Sequence, residues 1–184
     1  MTVAWAHDPG ELGAVAPEDL AAFARRSPAA RFASLAARCC LRRLLADALG
    51  LGSVRIGRTA MGAPFLPEHP EVWVSLAHAP GCVAAAVSTA GPVGIDVEPN
   101  APRFDPAELH ARVLHPDERS EVTRHADPVR RFFELWTAKE AVAKALGLGL
   151  AIDFRRLRVL DAEGVRALPV PAGFAGALAL RSPP

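Results

Sequence analysis

The sequence predicts an α+β fold, and three observations lead there. Segments of helical periodicity flank a block of short strand-like segments instead of alternating with them, as a doubly wound sheet requires. The strand-like segments are separated by Pro- and Gly-containing turns of the kind that join antiparallel neighbours. The 184 residues, 51% of them hydrophobic and 22% charged, suffice to bury a core in one domain or two small lobes without staples.

The elements follow in order. Pro17-Glu18-Asp19 opens a short helix to about Arg26, with acidic residues in its first turn. Ser27-Pro28 reads as an N-cap and a first helical proline. The helix that follows runs to about Leu49, with Leu41, Leu44, Leu45 and Leu49 at helical spacing, and Gly50 and Gly52 stop it. Val54 to Ile56 suits a short strand, and Gly62 to Pro70 a proline-rich loop. Val72 to His78, Cys82 to Ser88 and Val93 to Glu98 read as three strands of an antiparallel meander, joined at Ala79-Pro80-Gly81 and at Thr89-Ala90-Gly91-Pro92. Ala101 to Pro128 is broken by Pro102, Pro106 and Pro116 into short helices. Val129 to Leu146 is a strong helix ended by Gly147 and Gly149. Phe154 to Leu160, Val165 to Val170 and Gly173 to Arg181 are strand-like, with Asp161-Ala162-Glu163-Gly164 a hairpin turn between the first two.

Composition excludes several classes. With 21 basic and 20 acidic residues the formal charge is +1, so no basic field favours nucleic acid. Cys39, Cys40 and Cys82 have neither a disulfide framework's spacing nor a zinc site's, and read as small buried apolar residues. Met1 to Gly10 contains His7 and Asp8 and lacks the apolar run of a signal peptide. No segment approaches the ~20 apolar residues of a membrane span. The expected location is the cytoplasm. Within the basic residues, only Lys139 and Lys144 are lysine, and the other 21 − 2 = 19 are arginine.

Two segments carry chemistry. In Gly94-Ile95-Asp96-Val97-Glu98, strand alternation turns Ile95 and Val97 to the core and Asp96 and Glu98 together to the other side. Paired carboxylates suit either a solvated strand face or a hard divalent cation such as magnesium, which takes a few carboxylates, waters and substrate phosphate. In the later helix Phe132, Leu135, Val142 and Leu146 form the core stripe, while Trp136, Glu140 and Lys144 recur every four residues on a second stripe. Glu140 and Lys144 make either a simple ion pair or part of a site. Lysine differs from the abundant arginine in being a compact point charge, and Ala141, Ala143 and Ala145 are expected to leave room for a ligand.

Together, Gly94-Ile95-Asp96-Val97-Glu98 and the run from Trp136-Thr137-Ala138-Lys139-Glu140 through Lys144 to Gly147-Leu148-Gly149-Leu150 resemble the 4′-phosphopantetheinyl transferase superfamily. They are similar to its blocks G-[IV]-D-[VI]-E and [FW]-[ST]-x-K-E-[AS]-x-x-K-x-x-G-x-G-L. Gly62-Ala63-Pro64, Ser75-Leu76-Ala77-His78 and Leu114-His115-Pro116-Asp117-Glu118 resemble its lesser pieces. The resemblance implies a monomeric pseudo-dimer: two similar α+β lobes, residues 1–90 and 91–184, each with antiparallel strands and one long helix. The N-terminal lobe would hold the nucleotide of coenzyme A, the C-terminal lobe the metal and the catalytic helix. The implied activity moves the 4′-phosphopantetheine arm from coenzyme A to a serine of an apo acyl or peptidyl carrier protein, with magnesium, releasing adenosine 3′,5′-bisphosphate. The implied metal ligands are Asp96, Glu98 and Glu140. Glu140 is the implied base and Lys144 stabilises the breaking phosphate. Lys139, His78, the Ala77 position and Arg38 are implied on the coenzyme A side, together with Asp96 and Lys144. The partners implied are the carrier protein and coenzyme A, with no nucleic acid and no membrane.

The sequence departs from that pattern at Ala63, where lysine or arginine is usual, at Ala77, where serine is common, and in a short tail after Leu150. Arg58 is a candidate to take over the missing phosphate contact. Two other readings stay open: a carrier-protein binder without turnover, and a metal-dependent nuclease, whose acid and lysine spacing on a strand differs from the helical spacing here.

Overall fold

The computed structural model describes residues 2–7, 15–100, 106–148 and 152–182. It contains two three-stranded antiparallel sheets, each covered by one long helix, and a two-stranded ribbon. The first sheet has the order β1 (Thr2–His7), β5 (Cys82–Ser88), β4 (Trp73–Ala79). Before β4 come α1 (Pro17–Ala22), α2 (Pro28–Leu49) and the ribbon of β2 (Gly57–Arg58) and β3 (Pro64–Phe65). Pro28 starts α2 as expected, and Gly50 ends it in the left-handed conformation, φ 70°. Leu41, Leu44 and Leu45 are fully buried against Val74, Val83, Ala85 and Val87 of the sheet.

The second sheet has the order β6 (Val93–Pro99), β8 (Phe174–Leu180), β7 (Val165–Ala167). Between β6 and β7 lie α3 (Pro106–Val113), α4 (Pro116–Arg124), α5 (Pro128–Ala145) and a 3₁₀ turn at Phe154–Arg156. The apolar face of α5, with Phe132, Leu135 and Val142, packs in one cluster with Ala175, Ala177 and Ala179 of β8. Gly94 lets the helix come close: a Cβ there would lie 1.9 Å from the carbonyl oxygen of Ala141 and 2.6 Å from the nitrogen of Ala145. No helix among the described residues is long and apolar enough to cross a membrane.

β4 and β6 run side by side without a backbone ladder. The Ser75 hydroxyl on β4 instead accepts the Ile95 N–H of β6 at 3.1 Å. Ala77, Ala84 and Ala86 from one sheet share an apolar layer with Ile95, Val97 and Leu178 from the other.

Several expectations are corrected. β6 is not the third strand of a meander. β5 is paired on both sides, by β1 and by β4, so β6 takes β8 as its partner. β1 was not anticipated, because its partner lies some 80 residues away along the chain. Val54 to Ile56 is not a strand. Arg42 donates to the Val54 carbonyl at 2.6 Å and Arg38 to the Ile56 carbonyl at 2.8 Å, so α2 satisfies this backbone. Phe154 to Leu160 is not a strand either, since the buried side chains of Lys139 and Glu118 take up its polar groups. Leu146 lies past the end of α5 and is 40% exposed, not part of the core stripe. Ala141 and Ala143 are fully buried, the first against Gly94, and leave no room for a ligand, whereas Ala145 lines a groove beside Lys144. Gly149, Leu150 and residues 101–105 lie outside the described residues.

Candidate active-site cleft

Asp96 and Glu98 leave β6 on the side opposite Ile95 and Val97, which are buried at 0% and 1% exposure. α5 crosses that strand, and its second stripe brings Trp136, Glu140 and Lys144, each half-buried, to the same place. The Lys144 ammonium lies 2.7 Å from Asp96 Oδ1 and donates to the carbonyls of Ile95 at 2.9 Å and Leu76 at 3.4 Å. It therefore spans the seam between β4 and β6. The Trp136 indole faces Glu98 and favours its charged form, and its ring packs between Phe132 and Phe154 at centroid distances of 6.1 and 5.9 Å.

The carboxylates resist ionisation. Burial pushes the Asp96 carboxyl above its usual range, opposed by Lys144. Glu98 is pushed up to about 7, first by burial and then by the Asp96 charge, against Lys144 and Trp136. Burial and Asp96 also raise Glu140. Lys144 already compensates one acid, and Asp96 Oδ2 is buried without a hydrogen-bond partner. Such an all-oxygen donor set has the chemistry a hard divalent cation prefers. Among the described residues no group of three or more His, Cys, Asp and Glu is arranged to hold a metal ion.

His78, near the end of β4, keeps a solvent-facing side. Partial desolvation first, then the charges of Lys144, Arg26 and Arg58, hold its pKa below the usual histidine value. Arg26 and Arg58 stack on the Phe23 ring at 5.0 and 5.2 Å, which gathers cations where the α1–α2 junction meets β2. A cleft of about 280 Å³ is lined by Met61, Ala63, Ser75, Leu76, Glu140 and Lys144 among others. A second, more apolar groove of about 480 Å³ beside it also reaches Lys144.

Three expected site residues stand elsewhere. Lys139 is 0% exposed. Its ammonium lies 2.7 Å from Glu118, also fully buried, and donates to the carbonyls of Phe154 and Leu157. One residue along the helix from Glu140, it points away from the cleft and fastens α5 to α4, so it is not placed to hold a phosphate. Arg38 is 2% exposed, bonded to the Ile56 carbonyl and paired with Asp19 at 3.4 Å, again internal. The Ala77 side chain is buried in the layer between the sheets. Ser75, Arg26 and the partnership of Glu118 with Lys139 were not anticipated. Glu118 had one signal, its place in the Leu114 to Glu118 piece.

Comparison with known proteins accords with this geometry. A profile described as the 4′-phosphopantetheinyl transferase superfamily matches residues 92–177, and one described as the 4′-phosphopantetheinyl transferase N-terminal domain matches residues 18–88. The chain belongs to the 4′-phosphopantetheinyl transferase superfamily. It is 28% identical over 138 residues to a 4′-phosphopantetheinyl transferase of Bacillus subtilis, covering 72% of this chain and 60% of that protein. It is 31% identical over 150 residues to the 4′-phosphopantetheinyl transferase HetI of Nostoc sp. strain PCC 7120, covering 77% and 63%. It thus spans somewhat less than two thirds of each relative's length. A solved structure, the holo-[acyl-carrier-protein] synthase of Thermotoga maritima, aligns with 24% identity and a TM-score of 0.43 over 52% of this chain and 64% of that one.

Proposed function

We propose that the chain transfers the 4′-phosphopantetheine arm of coenzyme A to a serine of an apo carrier protein. The observation that carries this reading is the clustering of Asp96 and Glu98 with Glu140 and Lys144, the last two lining the cleft, on the strand and helix that the superfamily profile covers. The serine hydroxyl attacks the β-phosphorus of the coenzyme A pyrophosphate. A P–O bond forms to serine, and the P–O bond to adenosine 3′,5′-bisphosphate breaks. Glu140, its pKa raised by burial, accepts the serine proton. Lys144 offsets the negative charge that grows on the leaving phosphate. Asp96, Glu98 and Glu140 would hold magnesium, whose charge, when bound, lowers the cost of that build-up. Arg26 and Arg58 form the cationic side for the nucleotide phosphates, with His78 beside them as a hydrogen-bonding imidazole, and Arg58 replaces the lysine absent at Ala63. Residues 1–90 and 91–184 act as the two lobes of a pseudo-dimer, so that one chain supplies both walls, as a monomer in the cytoplasm.

The test incubates the protein with apo carrier protein, coenzyme A and magnesium and weighs the carrier by mass spectrometry. The carrier gains one phosphopantetheine arm, and the gain is lost with Glu140→Ala or on chelation. No gain with several acyl and peptidyl carriers at high enzyme concentration refutes the reading. Co-migration with carrier without modification would identify a binder instead.

A further inference from the structure

Lys144 holds more partners than a phosphate-binding lysine needs in the absence of phosphate. Its ammonium reaches Asp96 Oδ1 at 2.7 Å, the Ile95 carbonyl at 2.9 Å and the Leu76 carbonyl at 3.4 Å, from two strands of different sheets. The Asp96 side chain is only 10% exposed, and its second oxygen is buried without a hydrogen-bond partner. One of the two oxygens that Asp96 has to offer a cation is therefore covered by an ammonium.

We infer that Lys144 is a place-holding cation: in the protein without substrate it occupies the coordinating oxygen of Asp96, and a divalent cation gains that oxygen only as Lys144 moves out onto an anionic ligand. The ammonium is suited to this exchange. Its side chain is 30% exposed, which gives it a way out toward the cleft. A flexible four-carbon stem and a point charge allow it to change partners, where a planar guanidinium would be tied to a fork of two oxygens. Leaving Asp96 requires a new anion for Lys144, and the pyrophosphate of coenzyme A provides one. In this respect the inference rests on the transferase reading. Metal and coenzyme A therefore bind with positive coupling, each strengthening the other by the same factor.

The chain's two lysines make the exchange directly observable. With ¹³C- and ¹⁵N-labelled lysine, NMR shows one side-chain signal from Lys144 and one from the buried Lys139. Magnesium and coenzyme A together shift the Lys144 signal and leave that of Lys139 in place, whereas magnesium alone at the same concentration moves Lys144 little. In parallel, Mn²⁺ is titrated into the free protein by electron paramagnetic resonance. Lys144→Met, which removes the competing charge, binds Mn²⁺ at least about ten-fold tighter than wild type, and Asp96→Asn in that background abolishes the gain. Equal Mn²⁺ affinity in wild type and a folded Lys144→Met overturns the inference. So does a Lys144 signal that stays fixed while the magnesium–coenzyme A complex forms, and this second measurement needs no variant. Either result beside normal carrier modification would leave the transferase reading standing. Failure of carrier modification with tighter Mn²⁺ binding in Lys144→Met would sink that reading and retain the place-holder.

Discussion

Replacing Lys139 by methionine tests whether this lysine holds the fold together or serves the cleft. Glu118, fully buried, accepts from the Lys139 ammonium at 2.7 Å, from the His115 N–H at 2.8 Å and from the Val159 N–H at 2.8 Å. The same ammonium donates to the Phe154 carbonyl at 2.9 Å and to that of Leu157. Lys139→Met keeps the volume but leaves a buried carboxylate without its counter-charge and two carbonyls without this donor. Breaking one side of a buried ion pair costs about 3–5 kcal/mol, a large share of the roughly 5–15 kcal/mol that holds a domain together. At about 2–4 °C per kcal/mol for a chain of this size, Tm falls by about 6–20 °C. Urea unfolding followed by circular dichroism and calorimetry both read this loss. Glu118→Gln added to Lys139→Met removes the stranded charge while keeping an acceptor for one of the two backbone donors, which bond to different oxygens, and recovers part of the stability. A loss below about 1 kcal/mol in the single variant, or a double variant no better than the single, refutes the account. So would a Lys139→Met protein of unchanged stability whose KM for coenzyme A has risen, since that places the ammonium in the cleft.

Two further outcomes are expected. Gly94→Ala puts a methyl 1.9 Å from the Ala141 carbonyl oxygen, so α5 must lift from β6. The variant loses about 3 kcal/mol or more in urea unfolding, along with any transferase activity that depends on the helix's position. Glu98, whose folded pKa near 7 lies above its ordinary value of 4.5, binds a proton in the folded state that the unfolded state has released between those two values. Its contribution to stability is thus fully present below about pH 4.5 and is lost as pH rises through 7. In chelator-treated samples the Tm difference between wild type and Glu98→Gln follows that course, and a difference independent of pH from 4 to 8 counts against the electrostatic reading.

Local periodicity made part of the arrangement legible. A repeat of two residues puts Asp96 and Glu98 on one side of a strand, and a repeat of about four aligns Trp136, Glu140 and Lys144 on a helix. The start and end of α2 were legible because Pro28 and Gly50 act on their own few neighbours. What stayed hidden depends on distant partners. Lys139 differs from Glu140 by one step around the helix, and only the position of Glu118, 21 residues earlier, decides that it faces inward. Val54 to Ile56 and Phe154 to Leu160 have the alternation of strands, yet Arg38, Arg42, Lys139 and Glu118 satisfy their backbone from elsewhere. Pairing followed the same rule: β4 and β5 are joined by a tight turn and read correctly, whereas β1 and β6 find their partners far along the chain.

The pairing of Val93 with Leu180 also governs how the molecule is assembled. β6 is synthesised more than 70 residues before β8, and until β8 arrives one edge of β6 lacks the neighbour it has in the finished sheet. An exposed apolar edge of that kind invites pairing with another nascent chain. Two carboxylates within seven residues, one on each side of Val97, put like charge on every copy of β6 and discourage such contacts. Asp96 and Glu98 would then protect the strand during synthesis, before α5 brings Lys144 to Asp96.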